Sequence, residues 1–165
     1  MNRATVYKRR KNLIVHPSSE TTAGVVIATP PFTLLPEDVS PTDLGRAVLE
    51  ALKASQEGVP HPTDWGPVTE ALLNAAEVKS WANFAKGTIS CALHSDGTSI
   101  RFTPKKNNAP RGGFTFLEDR ALAIPAQSSA EDIGQGVLDA LTISERAQTR
   151  GLKPKKKEPT RTEVM

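Results

Sequence analysis

Thirteen residues of this chain occur twice. SPTDLGRAVLEAL at 40–52 returns 89 residues later as SAEDIGQGVLDAL at 129–141, with seven positions identical. In both copies small and apolar residues fall at i, i+3, i+4, i+7 and i+8 (Leu44, Ala47, Val48, Ala51, Leu52; then Ile133, Gly136, Val137, Ala140, Leu141), the stripe of a helix lying on a core. Each copy opens on a serine, Ser40 or Ser129, with Asp43 or Asp132 three residues on, a pattern that satisfies free N–H groups and suits the positive end of a helix. Each also places a glycine in its first turns, Gly45 or Gly134, at a cost of about 1 kcal/mol relative to Ala. Close approach to a neighbouring backbone would offset that cost. Leu49 and Leu138, aligned between copies, belong on or beside the buried stripe. A duplicated packing unit of this kind assigns most patterned residues to scaffold and leaves few for chemistry.

The strands complete the unit. TISCALH (88–94) turns Ile89, Cys91 and Leu93 inward, and SIRFTP (99–104) turns Ile100 and Phe102 inward. A two-residue Asp96-Gly97 turn would set Leu93 opposite Ile100 and Cys91 opposite Phe102, with both apolar sets on one face. FTFL (114–117) and ALAIP (121–125) are expected to form a second hairpin through Glu118-Asp119-Arg120, pairing Phe116 with Leu122 and Phe114 with Ile124. Candidate strands in the first half are Thr5–Lys8, Asn12–His16, Gly24–Ala28 and Phe32–Leu35, ahead of the helix from Ser40. Val68, Leu72, Ala75, Ala76 and Lys79 at helical spacing predict one middle helix within Pro67–Phe84.

The expected fold is α+β, an internally duplicated pair of antiparallel-sheet-plus-helix halves at about 4–56 and 86–146, joined by the loop and helix of 57–85 in one domain over 1–149. At 165 residues and 38% hydrophobic, such a chain can bury a real core. Residues 150–165, rich in Lys and Pro and almost without apolar groups, are expected to be a disordered tail. No apolar run marks a signal peptide or a membrane span, and the lone Cys91 cannot form an internal disulfide, so the chain reads as cytoplasmic.

Catalytic patterns are missing. Cys91 and His94 tempt as nucleophile and base or as metal ligands, but three residues apart on a strand they face opposite ways. A buried thiol and a solvated imidazole are the expectation. His16 and His61, each near a proline, read as surface histidines. NNAPRGG lacks the Lys-Ser/Thr of a phosphate loop and does not enter a helix, so it reads as a connection, with Asn107, Asn108 and Arg111 as lesser candidates for partner contacts. Trp65 reads as a loop anchor or else an interface aromatic, and Trp81 and Phe84 as core. No metal site, cofactor or enzymatic activity is expected.

Charge is more telling. The formal net charge is +3, yet residues 1–11 hold five Lys/Arg and no acid, and 150–165 hold six against two acids. Residues 12–149 therefore carry ten basic and sixteen acidic groups, a net of −6. Within them, 20–77 has nine acids against Arg46 and Lys53. An acidic surface attracts a basic partner, and proteins that act on nucleic acid are basic where they work. A nuclease inhibitor fits, with Glu37, Asp38, Asp64, Glu70 and Glu77 as contacts chosen by charge and Trp65 as a possible anchor. The alternative is a small single-strand nucleic-acid-binding protein whose basic ends neutralise phosphate; it would need a basic sheet or cleft.

VYKRRKNLIVHPSS, AGVVIATPPF, the LGRAVLEALKAS helix, KSWANFAKG, DGTSIRFTPKKN and IPAQSSAEDIGQGVLDAL follow one another in an order that resembles the immunity proteins of bacterial contact-dependent growth inhibition (CDI) systems, over roughly residues 4–146. The resemblance implies a stoichiometric inhibitor that binds the carboxy-terminal toxin domain, commonly a nuclease, of a large secreted effector. It also implies a fold like that of the Whirly single-stranded DNA-binding proteins. It offers no catalytic residues to carry over, and the Lys-rich tail falls outside it.

Overall fold

A computed structural model describes residues 1–110 and 112–152, with side chains through 148. The first half runs β1 (Asn2–Arg9), β2 (Asn12–Thr21), β3 (Val26–Ala28), β4 (Thr33–Pro36) and α1 (Pro41–Ala54). The second half repeats it as β6 (Ile89–Ser95), β7 (Ser99–Asn107), β8 (Phe114–Phe116), β9 (Leu122–Pro125) and α4 (Ala130–Leu152). Between them lie β5 (Glu57–Val59), α2 (Gly66–Ala75) and α3 (Trp81–Ala85). The duplication thus extends well beyond the thirteen repeated residues. In each half the third strand pairs with the far end of the second (β3 with Ser18–Glu20, β8 with Lys105–Asn107) and the fourth with its start (β4 with Asn12–Val15, β9 with Ser99–Phe102). The halves join where β1 meets β6 in antiparallel register, Val6 opposite Cys91.

Both helices cover the same face of this sheet. Ser40 Oγ accepts from the Asp43 amide and Ser129 Oγ from the Asp132 amide, each at 3.1 Å. Leu44, Val48, Ile133 and Val137, all fully buried, meet Val6, Val15, Cys91, Leu93 and Phe102 from the strands. Leu49 and Leu138 pack partly buried at the edge of this core. The glycines allow the helices to touch: a Cβ on Gly45 would lie 1.8 Å from the Ala130 carbonyl oxygen, and one on Gly134 1.8 Å from that of Pro41. Because Ala130 and Pro41 are themselves aligned in the repeat, the contact is reciprocal. Gly136, where the first copy has Ala47, makes room for the Phe102 ring, whose Cζ would be 2.7 Å from a Cβ there.

Several expectations need correction. Leu93 pairs with Phe102, and Cys91 with Pro104, two residues away from the expected register. Asp96 Oδ1 accepts from the Thr98 and Ser99 amides, which lengthens the turn. A shift of two keeps every side chain on its face, so the apolar assignment survives. β8 and β9 do not pair with each other as expected; they lie end to end along β7, with the 3-10 turn Glu118–Arg120 between them. In this way both satisfy an edge that a separate hairpin would leave bare. The middle helix is broken in two: Glu77 takes a left-handed backbone (φ 58°), the Val78 amide closes back on the Leu73 carbonyl, and Ser80 caps a new start. Residues 150–152 continue α4, and the rest of the expected tail lies outside the described residues.

Candidate functional site

Strand alternation sends a second set of side chains to the face without α1 and α4. β1 contributes Arg3, Thr5 and Tyr7, β2 His16 and Ser18, β6 His94, and β7 Thr103 and Lys105. β3 and β8 flank them, and a cavity of about 240 Å³ lies between, lined by Val26 and Phe116 at the sides and by Tyr7, His16, His94 and Lys105 within. The face is open in that no helix covers it, yet its polar side chains are buried: Thr5, Tyr7, His16, Ser18, Thr103 and Lys105 are all 8% exposed or less. Tyr7 meets Phe84 and Phe114 edge to face at 5.0 and 5.7 Å, and His16 leans on Tyr7 and Phe32.

The electrostatics follow from that burial. Lys105 Nζ sits among rings, 5.7 Å from the centroid of Tyr7, 6.0 Å from Phe114 and 5.1 Å from Phe116. Desolvation pushes its pKa down to about 8. His16 Nδ1–H donates to the Pro17 carbonyl at 2.6 Å, which leaves Nε2 buried without a partner. Burial first, and the Lys105 charge after it, bring His16 down to about 4 against the opposing pull of the Pro17 bond, so the ring is neutral at pH 7. Tyr7 is pushed up to about 12 by burial. His94, half-buried, is lowered by desolvation and then by Arg3, while Glu118 opposes. Arg3 Nη1 is 3.3 Å from Glu20 Oε1, an ion pair without hydrogen-bond geometry.

The charge-selected residues lie elsewhere. Glu37, Asp38, Asp64, Glu70 and Glu77 are all exposed. They do not form one cluster: Glu37 shares a cavity with Lys8, Arg10 and Glu145, whereas Glu77 lines another with Arg9, Asn12 and Leu34. Asp64 Oδ1 accepts from the Gly66 amide at the start of α2. Trp65 is 44% exposed and meets the His61 ring at 5.4 Å, a slight anchor. Trp81, expected in the core, is 38% exposed; it stacks on Phe84, which is fully buried as expected. Cys91 faces the helices with its thiol pushed up to about 12 by burial, and His94 faces the other way. His16 corrects the surface reading, because it lies mid-strand on β2 under Tyr7, Phe32 and the flanking strands, while His61 is exposed and holds Thr21 Oγ1 at 2.9 Å. Asn107 Nδ2 donates to the Ala85 and Thr88 carbonyls, tying the loop to the α3–β6 connection, and Asn108 Nδ2 donates to Thr115 Oγ1 across the loop; Arg111 lies outside the described residues. Among the described residues no group of three His, Cys, Asp or Glu could hold a metal ion, and no helix is long and apolar enough to cross a membrane.

Tyr7, His16 and Lys105 were not marked by the sequence as a site. The available signal was a strand alternation that puts two titratable groups and an aromatic on the face opposite the apolar one.

The CDI immunity protein family model (CdiI) matches residues 2–144. Two solved structures share the fold. One is a protein of unknown function, NMB0488, from Neisseria meningitidis, at 20% identity, TM-score 0.69, covering 86% of this chain and 94% of that one. The other is a CdiA-CT/CdiI toxin and immunity complex from Yersinia pseudotuberculosis, at 20% identity, TM-score 0.71, covering 86% and 95%. No curated protein matches.

Proposed function

This chain belongs to the CDI immunity protein family, and from that membership we propose that it binds the cognate CdiA carboxy-terminal toxin domain, a nuclease, and blocks it without chemistry of its own. The observation that carries the reading is the family match over nearly the whole folded body. The Yersinia structure, whose fold the chain shares, holds a toxin and its immunity protein in complex. The surface suits a basic partner. Glu37, Asp38, Asp64, Glu70 and Glu77 are exposed on the 20–77 stretch, which holds nine acids against Arg46 and Lys53, and Trp65, next to Asp64, is exposed as an aromatic that a partner could cover.

The nucleic-acid-binding alternative has one observation on its side, the cationic open face. Single-strand binding needs aromatic rings free to stack on bases. Here Tyr7 is 8% exposed and Phe114 partly buried, and of the three rings around Lys105 only Phe116, at 47% exposure, is free to stack, short of a row of rings for successive bases. The inhibitor reading is therefore preferred.

The test is coexpression with the toxin domain encoded by the neighbouring reading frame. Cells carrying both should grow with intact nucleic acid, and cells carrying the toxin alone should not. Continued killing in the presence of this chain overturns the function, and a toxin that leaves DNA and RNA intact overturns the nuclease assignment. Alanine at any interfacial acid should slow association and weaken its salt dependence. Rates indifferent to salt and to all five substitutions overturn the acidic contact surface.

A further inference from the structure

We propose that the cavity on the open face of the sheet binds a phosphate group that carries both O⁻ and O–H, as inorganic phosphate or the monoanion of a small phosphate monoester, with Lys105 and Arg3 facing the negative oxygens and His16 Nε2 accepting from the O–H. The inference does not depend on the toxin-binding function.

Charge comes first. Arg3, His94 and Lys105 line the cavity, and no Asp or Glu does. Lys105 is the strongest indication. It is 8% exposed, and its ammonium has ring faces around it in place of hydrogen-bond acceptors. Cation–π contacts offset only part of the desolvation of a buried ammonium, so an entering anion would restore to Lys105 much of what burial removes. Arg3 and Lys105 both depress His94, and Lys105 depresses His16, so Arg3 and Lys105 are the cations of the cavity; Arg3 lies 3.3 Å from Glu20 Oε1, and Lys105 has no carboxylate partner among the described residues.

His16 narrows the class of anion. Its Nδ1–H is committed to Pro17, its ring is neutral, and Nε2 therefore presents a lone pair, 98% buried by residue and without a partner. A lone pair repels a fully ionised oxygen and attracts an O–H. Sulfate and carboxylate have no such hydrogen near neutral pH, whereas monohydrogen and dihydrogen phosphate do. At about 240 Å³ the cavity falls below the usual range for drug-sized ligands, roughly 300–1,000 Å³, and suits a group of this size.

The experiment titrates the full chain, in phosphate-free buffer at neutral pH, with inorganic phosphate, glycerol phosphate, sulfate and acetate against sodium chloride of matched ionic strength. Imidazole nitrogen NMR signals and the melting temperature are the readouts. Phosphate should give a saturable shift at His16 Nε2 and not at His61, together with a rise in melting temperature, and sulfate and acetate should be much weaker. Whichever of inorganic phosphate and glycerol phosphate binds more tightly identifies the source. Lys105→Met should lose the saturable response. Equal binding by sulfate, an unmoved His16 Nε2 in the wild-type chain, or undiminished phosphate binding by a folded Lys105→Met overturns the proposal. Should that variant fail to fold, the wild-type His16 signal and the phosphate-to-sulfate comparison decide by themselves.

Discussion

The helix-covered face of the sheet presents Val6, Val15, Cys91, Leu93 and Phe102, while the opposite face of the same strands presents Thr5, Tyr7, His16, Ser90 and Lys105. Both sets are buried, each residue at 8% exposure or less. The first set loses nothing by leaving water. The second must find partners: Thr5 Oγ1 and Ser18 Oγ share a hydrogen bond, Ser90 Oγ donates to the Val6 carbonyl, His16 donates to Pro17, and Lys105 has rings. Equal burial therefore has opposite energetic meaning on the two sides. One face stabilises the fold by removing apolar surface from water, and the other holds ionisable groups at a cost.

The largest effect should come from the covered face. Phe102 is fully buried against Gly136, and Phe102→Ala should cost about 3–5 kcal/mol in urea unfolding. A loss below about 1 kcal/mol would mean that the helices do not seal this face as tightly as the packing indicates. Next comes Gly45→Ala. Helix propensity alone would reward it by about 1 kcal/mol, but the new methyl would lie 1.8 Å from a carbonyl oxygen that belongs to backbone and cannot swing aside. The clash should win, with a net loss of about 3 kcal/mol, at the upper end of overpacking costs. A stabilised Gly45→Ala would break the reciprocal helix contact.

The two faces also differ in how legible they were. The covered face could be read because a helical stripe and a period-two strand pattern point at each other, and the paired glycines in Leu44-Gly45 and Ile133-Gly134 announced a close approach that the structure contains. The register of β6 on β7 was misread by two residues, since a pattern of period two cannot separate registers that differ by two, and only the Asp96 side chain decides between them. The open face was illegible for a different reason. Alternating polar residues normally mean solvent, and nothing local in His16-Pro17 or Pro104-Lys105 announces that β3, β8 and the aromatic cluster of Tyr7, Phe84 and Phe114 close over them. The break at Glu77 was missed likewise, because apolar spacing from Val68 to Lys79 carries through a residue whose left-handed backbone ends the helix.

Acid should expose the cost of the open face. His16 has a folded pKa near 4 against an ordinary 6.5, so above pH 6.5 it is neutral in both states and contributes no pH dependence. As pH falls from 6.5 towards 4 the unfolded chain takes up a proton that the folded chain refuses, and stability should drop by on the order of 3 kcal/mol from this group alone. Denaturant midpoints across that range measure it, and His16→Phe should flatten the slope. A slope that survives the substitution would assign the acid sensitivity to other groups.

Lys105 gives the smallest effect, and its pH dependence has the same sign as that of His16 in a higher range. Its folded pKa near 8 lies below its ordinary 10.5, so above pH 10.5 the side chain is neutral in both states and burial carries no charge penalty. As pH falls from 10.5 to 8 the unfolded chain protonates first, stability is lost, and below pH 8 the folded protein holds a buried cation at full cost. Lys105→Met keeps most of the stem against Tyr7, Phe114 and Phe116 and removes the charge. At pH 7, in buffer without phosphate, it should stabilise the fold by about 1–3 kcal/mol, less than the whole desolvation cost because the cation–π contacts go with the charge. The advantage should shrink as pH rises towards 10.5, and comparing denaturant midpoints of the two chains at pH 7 and pH 10 measures both its sign and its decay. A variant less stable than wild type at pH 7 would show that the rings stabilise the ammonium more than burial destabilises it, and the open face would then support the fold much as the covered face does.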